Sequence, residues 1–242
     1  MKRIGLLHPG AMGAAIGNAL VAAGHEVLWD ARGRSAESAA RAARFTDAGA
    51  ELFSRADVVL SVCPPDQALT VAATAAAFEG LYVDANAIAP ATAAQIAVPH
   101  YVDGGIIGSP SAPRLYLSGA RANEVAALFG GTLVDAHVLE GDPYSASALK
   151  MVYAAWTKGT AAMLLAIEAV ASDLGVTQEL HAEWADSQPD LAGRLERARA
   201  AADAMGWRWA GEMREIAATF ATAGLPPGFH EAAAEVYERG TA

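Results

Sequence analysis

The densest chemistry in the sequence lies near its start, in Gly5-Leu-Leu-His8-Pro9-Gly10-Ala11-Met12-Gly13. This segment closes an apolar run and opens an alanine-rich stretch in which Ile16, Ala19, Leu20 and Ala23 recur at helical spacing. Set against the pattern G-x-G-x-x-G, His8 stands where the first glycine would be, and Gly10 and Gly13 fill the second and third positions. A glycine at position 10 lets the backbone approach a pyrophosphate, and one at 13 lets the helix pack close on the strand. The N–H groups at the helix start, those of Gly10, Ala11, Met12 and Gly13 after Pro9, then form an anion site. A strand, a glycine turn and a helix in this order suit a dinucleotide. His8 reads first as a turn residue tolerant of unusual dihedrals, and only second as a cofactor contact.

The next apolar run ends in Val27-Leu-Trp29-Asp30-Ala31-Arg32-Gly33-Arg34-Ser35. An acidic residue at this place accepts hydrogen bonds from the ribose of NAD, whereas an arginine pairs with the 2′-phosphate of NADP. Both types occur. Asp30 falls within the strand; Arg32 and Arg34 fall in the loop, where a guanidinium can grip a phosphate with two hydrogen bonds. NADP is the expected cofactor, with NAD possible. Ser35 reads as the cap of the following helix.

These residues need a scaffold. Strands are expected at Arg3–His8, Glu26–Asp30, Val58–Cys63, Leu81–Asp84, Tyr101–Asp103, Leu115–Ser118 and Leu133–Ala136. Helices are expected at Met12–Ala23, Glu37–Arg44, Gln67–Phe78, Ala91–Ala97 and Ala122–Phe129. Such alternation implies an α/β fold: a doubly wound parallel sheet of Rossmann type over residues 1–142. After Gly141-Asp-Pro143 no strand-like run returns. Ser145 to Leu174 reads as one long interdomain helix, apolar nearly all round. Three or four shorter helices follow, broken at Gln188-Pro189, Met205-Gly206 and Gly224-Leu-Pro-Pro-Gly228. Residues 143–242 thus form a small all-α domain. The part beyond the long helix is little for an independent core, so a homodimer through the C-terminal helices is expected.

Composition narrows the function classes. Hydrophobic residues make up 53% and charged residues 18% of 242, as in a packed globular chain. The net charge of −10 and the lack of a basic run argue against nucleic acid as a partner. No apolar run approaches the ~20 residues that span a bilayer, so no membrane partner is expected. The single cysteine, Cys63, excludes an intrachain disulfide and fits a cytoplasmic setting. No His, Cys and acidic cluster has metal-ligand spacing, and no serine-nucleophile elbow occurs. The partner is a small-molecule substrate.

Several segments come in the order of a known family: Gly10-Ala-Met12-Gly13, Gly24-His-Glu-Val27, Asp57-Val-Val to Cys63-Pro64, and Val83-Asp84-Ala-Asn86-Ala-Ile-Ala-Pro90. Val102-Asp103-Gly-Gly-Ile-Ile107-Gly108-Ser109 and the Lys150 helix extend the match. The sequence resembles the β-hydroxyacid dehydrogenase and 6-phosphogluconate dehydrogenase-like family, with imine reductases as relatives, in a branch with a short C-terminal domain. The resemblance covers about the first 160 residues. It implies that Cys63-Pro64 border the cofactor's ribose and that Asn86 lies near the nicotinamide ribose. Strand ends in an open parallel sheet point to the same crevice. For Asn86 a helix-entry turn is the other reading.

The resemblance also places a catalytic lysine on the interdomain helix, and Lys150 matches it. Hydride transfer to a carbonyl builds negative charge on oxygen, and an ammonium can protonate or neutralise it. Tyr153 and Thr157 share the Lys150 face of a helix, Tyr153 as a catalytic candidate and Thr157 as a substrate contact. A core tyrosine is an equal reading for Tyr153. Two positions depart from the family pattern: Ala154 replaces its asparagine, and Ile107 replaces the serine of its substrate-carboxylate loop, leaving Gly108 and Ser109. The expected activity is interconversion of a carbonyl compound and an alcohol. Imine reduction on the same scaffold is the first alternative, and a non-catalytic dinucleotide-binding sensor or scaffold the second. Trp207 and Trp209 read mainly as core residues, and His230 as structural.

Overall fold

The computed structural model describes residues Met1–Gly240, and contacts divide it into two compact units, Met1–Lys150 and Met151 onward. The first unit begins with β1 (Arg3–Leu7), α1 (Ala11–Ala22), β2 (Glu26–Trp29), α2 (Ala36–Arg41) and β3 (Thr46–Asp47). It continues through α3 (Leu52–Arg55), β4 (Val58–Ser61), α4 (Ala68–Ala73), β5 (Leu81–Asp84) and α5 (Pro90–Ala93). It ends with β6 (Tyr101–Ser109), β7 (Ala112–Ser118), α6 (Ala122–Ala126), β8 (Asp135–Val138) and the start of α7 (Ser145–Asp173).

The eight strands form one sheet in the order β3-β2-β1-β4-β5-β6-β7-β8. Every residue of β4 and β5 is buried, as expected for central parallel strands covered on both faces. Strand order reverses between β1 and β4, and such a switch point opens a ligand crevice at the strands' carboxyl ends. Two apolar layers flank the sheet. One gathers Ile4, Leu6, Ile16, Leu20 and Leu117; the other gathers Leu28, Val59, Tyr82 and Ile88.

The sheet departs from the all-parallel expectation at β6 and β7, which pair antiparallel from Asp103↔Ser118 to Ser109↔Ala112. Two residues join them, too few for a crossover, so a hairpin is the only solution. β6 therefore runs well beyond the expected Asp103, because Gly104-Gly105 continue a strand that their composition disguises. β3 was not expected, and β8 lies two residues later than Leu133–Ala136. The alanine-rich helices are shorter than expected. α4 stops at Ala73 and α5 at Ala93, since short alanine helices need packing as well as propensity. Ser35 caps α2 as anticipated, its Oγ accepting from Ser38 N–H at 3.2 Å.

The second unit contains the rest of α7, then α8 (Thr177–Ser187), α9 (Leu191–Thr222) and α10 (Gly228–Arg239). The expected break at Met205-Gly206 does not occur: α9 is continuous over 32 residues. Gly206 serves packing instead, since a Cβ there would sit 3.4 Å from the Tyr237 carbonyl of α10. Met213, Ile216 and Tyr237 lie in the core. Within it Lys158 pairs with buried Glu212 and lies 5.2 Å from the ring centre of Trp209. Trp209 is half-buried and edge-on to Tyr237 at 5.3 Å between ring centres, whereas Trp207 is 70% exposed, against the core reading. His230 is buried edge-on to Phe220, in keeping with a structural role.

Candidate active site

Gly10 ends the β1–α1 turn in extended conformation, immediately before α1. A Cβ built on it would meet nothing within 4 Å, so the fold itself does not demand glycine there. The Gly13 position is different, because a Cβ would lie 2.8 Å from the His8 carbonyl oxygen, and only glycine lets α1 start so close to β1. The helix has no side-chain cap and no acidic residue in its first turn. Its positive end, with Ala11 exposed and Met12 half-buried, is open to an anion. These features fit a dinucleotide pyrophosphate at Gly10–Gly13. Pro9 is buried beneath the turn, and His8 takes the left-handed conformation, with φ of 65°. That conformation is common only for glycine and a few residues such as histidine, so the turn reading of His8 holds.

The loop after β2 carries a local charge pair. Arg32 binds Asp30 through two hydrogen bonds, Nη2 to Oδ2 at 2.7 Å and Nε to Oδ1 at 2.9 Å. Hydrogen bonding from the Arg32 side chain holds the Asp30 carboxyl down at about 2. Arg34 Nε donates to the Asp30 carbonyl at 3.4 Å. Of the two arginines expected at the 2′-phosphate, Arg32 is thus engaged by Asp30, while Arg34 keeps its terminal nitrogens clear of that carboxylate.

A buried polar seam runs across the carboxyl ends of β4, β5 and β6. Cys63 N–H donates to Asn86 Oδ1 at 2.5 Å, and Asn86 Nδ2 donates to Ser61 Oγ at 3.1 Å and to Asp84 Oδ2 at 2.7 Å. Cys63 and Asn86 are therefore joined by a hydrogen bond. Half-buried Pro64 follows. Both readings of Asn86 meet here, for its own N–H also donates to Asp84 Oδ1 at 3.0 Å. Asp84 pairs in register with Asp103 of β6. Burial, reinforced by the Asp103 charge, pushes the Asp84 carboxyl up to about 7.

Asp103 is the partner of α7. Its carboxylate accepts from Ser147 N–H at 2.8 Å, Ser147 Oγ at 2.5 Å, Ser118 Oγ at 3.1 Å and Tyr101 OH at 3.3 Å. Ser118 Oγ in turn accepts from Ala146 N–H at 2.9 Å. The first turn of α7 is therefore capped by the sheet rather than by its own preceding loop, and a carboxylate suits the positive helix end. Burial is also the main reason the Asp103 carboxyl is raised. Gly105 lets the helix approach. A Cβ there would lie 2.7 Å from the Ala146 carbonyl and 3.0 Å from Lys150 Cβ. Lys150 is half-buried and packs on β6 two residues beyond the Asp84–Asp103 pair, the same number by which Asn86 follows Asp84.

The first unit thus brings together the Gly10 turn, Cys63-Pro64, Asn86 and the start of the Lys150 helix on the carboxyl side of one sheet. Ile107 is buried within β6; Gly108 and Ser109 lie exposed at the hairpin tip, where Ser109 Oγ and Ser111 Oγ are 2.8 Å apart. Tyr153 and Thr157 fall in the second unit, both exposed, and Thr157 Oγ1 donates to the Tyr153 carbonyl at 3.3 Å. Sequence reading missed Ser61, Asp84, Asp103, Ser118 and Ser147. The repeated Val-Asp ending of two apolar runs, Val83-Asp84 and Val102-Asp103, is the signal that marks the pair. No metal-ligating cluster occurs among the described residues.

Comparison with known proteins agrees with this geometry. Residues 3–87 match the family described as NADP oxidoreductase, coenzyme F420-dependent, and residues 171–240 match a domain of unknown function, DUF1932. An uncharacterised 28.5 kDa protein encoded in the 7S RNA 5′ region of Methanothermus fervidus is 35% identical over 138 residues, 54% of each chain. The match therefore spans about half the length of that curated relative. Among solved structures, the conserved protein MTH1747 is 26% identical, with a TM-score of 0.71 over 98% of this chain and 96% of its own. Its structure is described as similar to 3-hydroxyacid dehydrogenases. The 3-hydroxyisobutyrate dehydrogenase of Mycobacterium tuberculosis shares the fold at 18% identity, with a TM-score of 0.68 over 99% of this chain and 93% of its own. Imine reductases share it at lower scores. The N-terminal third of the chain thus matches a family of NADP oxidoreductases, and the chain shares the fold of the hydroxyacid dehydrogenases and imine reductases.

Proposed function

We propose that the protein is an NADP-preferring oxidoreductase that interconverts a carbonyl compound and an alcohol, with Lys150 handling the proton. The observation that carries this reading is Gly10: a glycine the fold does not need, at an uncapped helix start beside the sheet's switch point. Gly10 to Gly13 would hold the pyrophosphate on backbone N–H groups, Arg34 with Arg32 the adenosine end, and Cys63, Pro64 and Asn86 the nicotinamide ribose. The cofactor, when bound, supplies or accepts the hydride. Lys150 would donate its Nζ proton to the oxygen as the alcohol forms, and take it back in the reverse direction. Tyr153 would be a further catalytic group, and Ile107, Gly108, Ser109 and Thr157 are the candidate substrate contacts. The test is turnover of matched ketone and alcohol panels with NADPH, wild type against Lys150→Met.

Imine reduction is the second reading. It is favoured by Ala154 and Ile107, both buried and apolar at positions where the family resemblance expects carboxylate-binding polar groups. Matched ketone and imine substrates separate the two. A homodimer goes with either reading. Val152, Trp156, Met163, Ile167, Val170 and Leu174 form one exposed apolar stripe along α7. A cytoplasmic setting accords with a single cysteine, the buried Cys63, and no helix among the described residues is long and apolar enough to cross a membrane.

A further inference from the structure

We propose that the imidazole of His8 is a second cationic arm for the 2′-phosphate at the adenosine end of NADP, acting with Arg34 and taking up a proton when the phosphate arrives. This inference rests on the dinucleotide reading above. The turn explains the His8 backbone and nothing more. Its left-handed φ of 65° and its carbonyl, which accepts from Gly10 N–H at 2.8 Å, would be met as well by glycine or asparagine. What the turn leaves unexplained is the side chain: Nδ1 is buried and has no hydrogen-bond partner. An unsatisfied buried polar atom beside a ligand crevice points to a partner that arrives with the ligand.

The charges around His8 indicate which partner. Burial, and after it the charge of Arg34 on the β2–α2 loop, hold the His8 imidazole below its ordinary value. The helix that begins three residues later, α1, carries no ionisable side chain along its length. Both effects favour the neutral ring before binding, one guanidinium disfavouring a second positive charge. The β1–α1 turn and the β2–α2 loop are the two segments that flank the adenosine ribose in this fold. A phosphate dianion between them reverses the local balance: it neutralises Arg34 and favours the imidazolium. The group's pKa is lowered in the free protein and rises on binding. A proton is thus taken up, and affinity increases as pH falls between the two values, by at most tenfold per pH unit.

The experiment measures NADPH and NADH affinity by isothermal titration calorimetry from about pH 8 to about pH 6, around the histidine range, in two buffers of different ionisation enthalpy. Wild type is compared with His8→Asn and His8→Gly, both tolerant of the left-handed turn, after thermal melting verifies that each is folded. The 2′-phosphate itself gains a proton near pH 6, which weakens binding on acidification, so the asparagine and glycine variants supply the baseline. The expected result is proton uptake with NADPH in wild type alone, affinity rising relative to the variants as pH falls, and no such difference with NADH. Identical pH profiles in wild type and variants, or equal proton uptake with NADH, overturn the inference while leaving the dinucleotide reading intact. Absence of binding by either cofactor at every pH overturns both.

Discussion

In the proposed function, Lys150 carries the proton and the paired charges after β2 carry the choice of cofactor. A lysine held on β6 through the close approach at Gly105 can serve as proton donor only if its Nζ faces the reacting oxygen. Lys150→Met keeps the stem and removes the charge. Turnover should fall by roughly 10²–10⁴, the usual contribution of a general acid, while NADPH binding by calorimetry stays unchanged. Loss of binding along with turnover would assign Lys150 to the cofactor instead. At the proposed adenosine end, Asp30 already occupies the fork of Arg32, so Arg34 would carry more of any selectivity. A charge-assisted hydrogen bond contributes roughly 1.5–3 kcal/mol. Arg34→Ala should therefore weaken NADPH about tenfold or more and NADH little, with Arg32→Ala smaller because it also releases Asp30. Equal losses for both cofactors would restore Asp30 as the ribose-binding residue.

At the scale of elements, the decisive contact is the capping of α7 by Asp103. Asp103→Ala strands the Ser147 N–H and Oγ–H donors in the interior, while Ser118 Oγ keeps the Pro143 carbonyl at 3.0 Å, and should lower unfolding stability by on the order of 3 kcal/mol, read by urea denaturation. Asp84 adds a pH dependence. Its folded value of about 7 lies above the ~3.9 of an unfolded chain, so the native state binds the extra proton. Its contribution is fully present below the unfolded value and is lost as pH rises through 7. Unfolding measured at about pH 5 and about pH 8 should show that loss in wild type, and Asp84→Asn should flatten it. A profile unchanged by the substitution would mean Asp84 does not carry the proton. Much of the first unit was legible in the sequence. Val58–Ser61 and Leu81–Asp84 are short continuous apolar runs, and Gly10 and Gly13 mark where β1 hands over to α1. The β6–β7 hairpin was not legible past Asp103, because Gly104-Gly105 serve a tertiary approach that carries no local strand signal. Gly206 misled for the same reason: it reads as a helix break and is a packing contact. The serines of the polar seam were hidden because their meaning comes from residues far apart in sequence, such as Ser147 and Asp103.

For the whole molecule, the apolar stripe on α7 is the feature a single chain leaves unsatisfied. Trp156 is 66% exposed and Val170 57%, and burial of such side chains contributes roughly 1.5–3 kcal/mol each. Sedimentation should show a dimer, and Trp156→Glu should shift it toward monomer without unfolding the chain. A stable, fully active wild-type monomer would remove the dimer from the account. The central claim, that the Gly10 turn holds a dinucleotide, has a more direct test in Gly10→Ala. The added methyl meets no atom of the protein, so the thermal midpoint should stay the same or rise slightly. The same methyl projects where a pyrophosphate must approach the backbone. Calorimetric titration with NADPH should show saturable binding to wild type and at least a tenfold loss, by our order-of-magnitude expectation for blocked anion contacts, in the variant. Equal binding by the two proteins, or none by wild type, would contradict the account.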